Sequence, residues 1–333
     1  MPAYPPEKMI SSILDAIAAS GGTGIFVSLN SRSHPKIFGV SINGKDYTIA
    51  IYIWTLTHGG RVSLPDEYRI QMTGVSSPLN TSQANFTVLM GYYPDQNVFA
   101  GFDIDAHTQF TTGSPSVQIA RSVLMDAIQD GLAFGTKNNQ EIAIGVRADQ
   151  FLFYVENQAR LHKSGSANSS FVSLMNQSVA SLTPVNIELV PENRRRIVTT
   201  VNIASRNARF ARAVVSAYDN RCAVTRLQLK LVDAAHILPV SAPNSYDIVP
   251  NGIALSPTFH RAFDNRLIYL DDKLHLRLNN KAYRELRTQG LAGGFSLIGD
   301  YIGSSIYVPQ DVTQRPDVDY ILEANKYRRI PGY

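Results

Sequence analysis

Residues 8–19 carry apolar side chains at helical spacing, and Gly21-Gly22 closes that pattern. Six segments follow at 24–29, 36–42, 47–56, 67–74, 86–92 and 97–104, rich in Ile, Val, Tyr, Phe and Thr. Asn-Gly, Gly-Gly and Pro-Asp signals separate them, which predicts strands joined by turns. From Pro115 the apolar positions Val117, Ile119, Val123, Leu124, Ile128 and Leu132 predict a single helix over 115–134. A strand at 141–147 and a short helix at 148–160 complete a mixed α+β block whose sheet is expected to be largely antiparallel.

The pattern then changes. Residues 163–186 are rich in Ser and Asn with almost no charge, and read as a linker with room for a short helical insert. A helix over 205–219, with Phe210, Val214, Val215 and Tyr218 on one face, introduces a second block. A strand-like run Leu229–Ile237 contains His236, and Ser256-Pro257 marks a helix entry, with Ser as cap and Pro in the first turn. The expected organisation is an α+β domain at 1–162, a linker at 163–190 and a second domain at 191–333.

Charge sharpens this division. The whole chain carries +4, but residues 1–189 hold 11 basic and 14 acidic side chains, a net −3, and the remainder carries +7. Within 191–230 there are nine basic and two acidic residues. A basic half joined to a mildly acidic one suits a polyanion-handling module attached to something else. Only 17% of residues are charged and 44% are hydrophobic, which excludes a disordered chain. The lone Cys222 excludes an internal disulfide framework and a cysteine-based zinc knuckle. No apolar run reaches the length of a membrane span and the first residues do not form a signal peptide pattern, so a cytoplasmic protein without membrane attachment is expected.

Residues 222–264 hold the chemistry. His260 and Asp264 stand four apart, on one face of the helix that Ser256-Pro257 opens, where they can jointly hold a divalent ion. The order Cys-Ala-Val-Thr, Ala-Ala-His-Ile-x-Pro, Asn-Gly-Ile-x-Leu and His-x-x-Phe-Asp, preceded by a helix, resembles a bacterial subgroup of the HNH endonucleases, nucleases of the ββα-metal fold. The resemblance spans roughly residues 205–280. It implies that His236 is the general base that deprotonates the attacking water. It implies further that Asn251 braces the loop between the strands, and that His260 ligates the catalytic metal with Asp264 beside it. Many HNH enzymes carry a His or Asp directly before the general base; here that position is Ala235, and Asp233 is the candidate substitute. The implied cofactor is a divalent ion, Mg²⁺ or Mn²⁺ by preference, with no structural zinc.

Arg194, Arg195, Arg196, Arg206, Arg209 and Arg212 are expected along a DNA backbone, and Arg261 at a phosphate. In the first domain Trp54, Arg61, Arg69 and Gln71 are the candidate recognition residues. Arg69 and Gln71 share one face of a strand, and Trp54 with Tyr92 and Tyr93 offers stacking surfaces; ordinary packing is the competing account. Asp103, Asp105 and Glu141 suggest a second acidic centre, but the Lys such a centre needs two residues after an acid is missing, so it is rejected. His34, His58, His107, His162 and His275 are read as core or surface residues. The first block also resembles, more loosely, the front half of bacterial proteins described as restriction endonucleases.

Three functional readings follow. The first is a restriction endonuclease whose first domain recognises a DNA sequence or modified base. The second is an antiphage effector gated by a small signalling nucleotide. The third is a non-catalytic DNA-binding protein, which the intact His236, Asn251 and His260 argue against. The first is preferred. Double-stranded DNA is then the partner, with a homodimer expected for cutting both strands and a cognate DNA methyltransferase as companion.

Overall fold

The computed structural model describes residues 4–60, 65–111, 115–137, 139–163, 169–181, 186, 188, 190 and 192–333. The chain divides into two compact units, Met1–Ala208 and Arg209–Tyr333. It is α+β, with mostly antiparallel sheets.

In the first unit the elements run α1 (Pro6–Ala19), β1 (Thr23–Phe26), β2 (Lys36–Ile42), β3 (Lys45–Thr55), β4 (Thr57–His58), β5 (Glu67–Gln71), β6 (Phe86–Tyr93), β7 (Val98–Phe102), α2 (Ile104–His107) and β8 (Ser116–Ala120). They continue with α3 (Arg121–Asp130), β9 (Leu132–Thr136), β10 (Ile142–Arg147), α4 (Phe151–Lys163), α5 (Ser169–Ala180) and α6 (Glu192–Ala217). Among the described residues β1-β2-β3-β6-β7-β10-β9 form one sheet, in which β3 and β6 alone pair in parallel. A smaller sheet has the order β4-β5-β8.

The middle of β3, Ile49 to Ile53, is buried on both faces, as a near-continuous apolar run requires. Ile49, Ile51 and Ile53 pack with Met9, Ile13 and Ile17 of α1 and with Phe151 and Tyr154 of α4. Tyr52 lies in a second cluster with Ile70 of β5, Val117 and Ile119 of β8 and Leu124 of α3.

Three stretches differ from the sequence expectation or add to it. The single helix over 115–134 resolves into β8, α3 and β9. Val117 and Ile119 alternate with half-buried neighbours at period two and pair with β5, and Gly131, with φ +96°, ends α3 before β9 begins. The Ser/Asn-rich stretch contains α5, whose Phe171, Val172, Met175 and Val179 join the first core. Its polar residues also bind locally: the Asn176 side chain accepts from Phe134 N at 2.8 Å and donates to Phe134 O at 2.9 Å on the edge strand β9. The helix expected at 205–219 begins earlier, at Glu192, and the division between units falls within it.

The second unit contains β11 (Asp233–His236), β12 (Gly252–Leu255), α7 (Pro257–Asp264), β13 (Ile268–Leu270), β14 (Leu276–Leu278), α8 (Asn280–Thr288), α9 (Ser296–Gly299) and α10 (Val318–Tyr327). Its core joins Val214 of α6 and Tyr218 just beyond it to Ile253, Leu255, Phe259, Phe263 and Ile321, with Cys222 buried among them. α10 is tied in by Asn325, which donates to Leu270 O at 2.8 Å. No described helix is long and apolar enough to cross a membrane.

Phe171 tests the status of α5. A Phe171→Ala substitution is expected to cost about 3–5 kcal/mol of stability, the range for an emptied aromatic site in a core, read from denaturant unfolding; an unchanged midpoint would return the segment to a linker.

Candidate active site

β11 and β12 pair antiparallel with His236 opposite Gly252 and Asp233 opposite Leu255. The chain between them is pinned by Asn251, which is fully buried. Its Oδ1 accepts from Leu238 N at 2.8 Å, and its Nδ2 donates to Tyr246 O at 3.0 Å and Ser245 Oγ at 3.1 Å. Its own carbonyl accepts from Ile237 N at 2.9 Å. A buried amide satisfied in this way fixes the path of the loop. Gly252 leaves room beside it: a Cβ there would run into Val214 and the Phe210 ring. Phe210 uses that room to stack on the His236 imidazole, 3.8 Å between centroids and 11° between planes.

The loop also brings Asp247 to His236, with Oδ1 3.0 Å from Nε2. With Asp247 accepting from Nε2–H, Nδ1 is left as the nitrogen able to take a proton. Burial lowers the His236 pKa from its ordinary value, and the hydrogen bond to Asp247 opposes that shift. The ring is therefore neutral at neutral pH, the state a general base requires.

α7 opens as the sequence suggests, with Ser256 at the N-cap position and Pro257 in the first turn, although the buried Ser256 makes no side-chain cap bond. His260 projects from it between two carboxylates: Nδ1 is 3.4 Å from Asp233 Oδ2, and Nε2 is 3.3 Å from Asp264 Oδ2. Those two partners raise the His260 pKa to about 9, Asp233 contributing first. The same contact holds Asp264 below its ordinary value. Among the described residues no three His, Cys, Asp or Glu side chains converge as a metal cage. The His260 Nε2–Asp264 separation nevertheless fits two ligands of one octahedral ion, which stand about 3 Å apart when each bond is about 2.1 Å. Asp233 lies on the other ring nitrogen, Nδ1.

His236, His260 and Asp264 line one cavity of about 630 Å³ with Ala234, Arg266, Tyr327 and Arg328. Arg261 is exposed and is not among these lining residues; the arginines of the cavity are Arg266 and Arg328. Arg194 lies 4.4 Å over the Phe171 ring and Arg195 donates to Val190 O at 2.9 Å, so both are engaged within the first unit. Arg196 and Arg212 are exposed, and Arg206 and Arg209 are half-buried with contacts of their own.

Among the recognition candidates, Arg61 lies outside the described residues. Trp54 donates from its indole to Thr73 O at 3.1 Å and is stacked by His34 at 4.3 Å, so part of its ring surface is already occupied. Arg69 is half-buried between Thr57 and Gln118 across the small sheet, and Gln71 is exposed opposite Ser116. Of the acidic trio, Glu141 is bound by Lys137 and by His107, and Asp105 pairs with Lys163 at 2.7 Å. Asp247, Phe210, Tyr327 and Arg328 are the site residues that sequence reasoning missed. Asp247 offered one signal, a carboxylate inside the loop that Asn251 closes; the others arrive from distant helices.

Residues 222–271 match the family model described as HNH endonuclease, and residues 47–155 match the one described as Methylase-associated X1. No curated protein sequence matches the chain. Among solved structures, a "Modification dependent TagI restriction endonuclease" is similar at 14% identity, covering 85% of this chain and 82% of that one, with a TM-score of 0.30. That score is too low for the likeness to carry an argument. The second unit thus contains an HNH endonuclease domain, a DNA-cleaving nuclease module.

Replacing Asp247 with Asn removes the negative charge that raises the His236 pKa. The acid limb of the pH–rate profile for DNA cleavage should then move to lower pH. The maximal rate should fall by about 10–100-fold, part of the 10²–10⁴ a positioned base supplies. An unchanged profile would show that Asp247 does not tune the base.

Proposed function

We propose that the chain is a restriction-type DNA endonuclease. In this reading its HNH domain hydrolyses phosphodiester bonds and its first unit recognises a DNA sequence or a modified base. The observation that carries the reading is the convergence of a neutral, Asp247-held His236 with the His260–Asp264 pair on one cavity. His236 takes the proton of a water molecule through Nδ1 as the water oxygen attacks phosphorus. The bond to the 3′ oxygen breaks, and that oxygen leaves as a hydroxyl after protonation from solvent. His260 and Asp264 hold the divalent ion, Mg²⁺ or Mn²⁺ by preference, with Asp233 orienting the imidazole. When bound, that ion supplies positive charge to the phosphate and the departing oxygen. Asn251 is a positioning residue: it acts through the loop that carries Asp247.

The outer face of the small sheet supports the recognition role. Ile70 of β5 turns into the core while Arg69 and Gln71 point away from it, alongside Gln118 and Ser116. That leaves a polar strip of the kind that reads base edges or phosphates. The match of residues 47–155 to a methylase-associated family supports a companion DNA methyltransferase. Double-strand cleavage needs two HNH centres, hence a homodimer. Exposed Arg196 and Arg212 are proposed to follow the DNA backbone.

Incubating the protein and Mg²⁺ or Mn²⁺ with matched plasmids, unmodified and cytosine-modified, tests this reading. Discrete fragments from one of them are expected. His236→Ala should abolish cutting while DNA binding persists. Cutting that starts only when a cyclic nucleotide is added would replace the restriction reading with a gated effector, and cutting retained by His236→Ala would refute the assigned base.

A further inference from the structure

Arg328 lies well outside the segment that matches the HNH family, yet it reaches the centre of the site. It directly follows the last residue of α10 and is 8% exposed. Its guanidinium carbon sits 4.3 Å over the Phe263 ring of α7. Nη1 donates to Ile237 O at 2.7 Å, next to the residue that bears the general base. Nη2 is held less well: His236 O is 3.4 Å away, and Asp264 Oδ1 is 3.9 Å away, beyond hydrogen-bond reach.

A buried guanidinium with one firm bond and one loosely engaged nitrogen is costly unless something anionic completes it. Asp264 pairs with it only at 3.9 Å, without a hydrogen bond, while its other oxygen faces His260. Burial lowers the Arg328 pKa to about 10, which leaves the group charged at neutral pH. The side chain also lines the cavity with His236, His260 and Asp264. Of the other two nearby arginines, Arg261 is not among the lining residues and Arg266 is exposed. Arg328 is thus a fixed cation at the place where the HNH reading puts a phosphodiester.

We infer that Arg328 is a catalytic residue whose Nη2 donates to a non-bridging oxygen of the scissile phosphate, while its Nη1 bond to Ile237 keeps it in register with His236. This assignment rests on the phosphodiesterase reading of the site. It extends the active centre to the C-terminal helix and fits a planar donor made for phosphate oxygens.

Two substitutions test it in the full chain. Arg328→Lys keeps the charge and loses the fork; Arg328→Gln keeps an N–H for the Ile237 carbonyl and loses the charge. Both should melt near the wild-type temperature and bind DNA, with kcat reduced about 10²–10³-fold, as on removing one donor to a transition-state oxygen, and KM little changed. Wild-type cleavage of the two phosphorothioate diastereomers at the cut bond should proceed at unequal rates, and that preference should shrink in both variants. An unchanged kcat, or a lowered kcat with the diastereomer preference intact, makes Arg328 a structural strap and overturns the assignment. Should both variants unfold, the wild type decides: its guanidinium ¹⁵N signals should shift on adding a phosphorothioate duplex without divalent ion, and no shift refutes the contact. A wild type that cuts no DNA sinks the phosphodiesterase reading itself; a wild type that cuts no faster than its folded variants sinks the Arg328 assignment alone.

Discussion

Asn251 commits both ends of its buried carboxamide to the chain returning from β11 to β12, taking Leu238 N on one side and reaching Tyr246 O and Ser245 Oγ on the other. Asp247 rides on that loop, one residue beyond Tyr246, and meets His236 only because the loop path is set. Phe210 stacks on the same imidazole because Gly252, directly after Asn251, has no side chain to exclude it. One satisfied polar group in a dry interior therefore fixes His236, its partner and its packing surface together.

The two histidines of the cavity are driven to opposite protonation states by what surrounds them. His236 has one carboxylate within hydrogen-bond reach and a largely buried ring, so desolvation prevails and it stays neutral. His260 stands between Asp233 and Asp264, and two negative partners outweigh its burial. Separating the pKa values of neighbouring titratable groups is how a site assigns base and ligand roles at one pH. Without an ion, a proton on His260 offsets part of the charge of its two carboxylates; a divalent ion held by His260 and Asp264 would take that proton's place.

The hairpin and helix of the second unit were legible in the sequence because their chemistry is local. His236, Asn251 and His260 sit within a single run, and turn and cap signals mark the ends of β11, β12 and α7. Regions whose structure depends on partners were harder to read. Val117 and Ile119 fit a helical stripe and a strand equally well until β5 supplies the ladder. In α5, the Ser and Asn residues masked the spacing of Phe171, Met175 and Val179. Asp247 had only its place in the loop to mark it, and Arg328 had no motif. Arg328 is 92 residues from His236 in sequence, and only the docking of α10 brings the two together.

The site depends on a neutral His236 beside Asp247 and a protonated His260 between Asp233 and Asp264. Long-range ¹H–¹⁵N spectra of the imidazole rings in the metal-free protein, followed through a pH titration, measure this directly. At neutral pH His236 should be the neutral Nε2–H tautomer, protonating only below the ordinary histidine pKa. His260 should be doubly protonated at neutral pH and titrate near pH 9. A His236 that is charged at neutral pH, or that carries its proton on Nδ1, would contradict it.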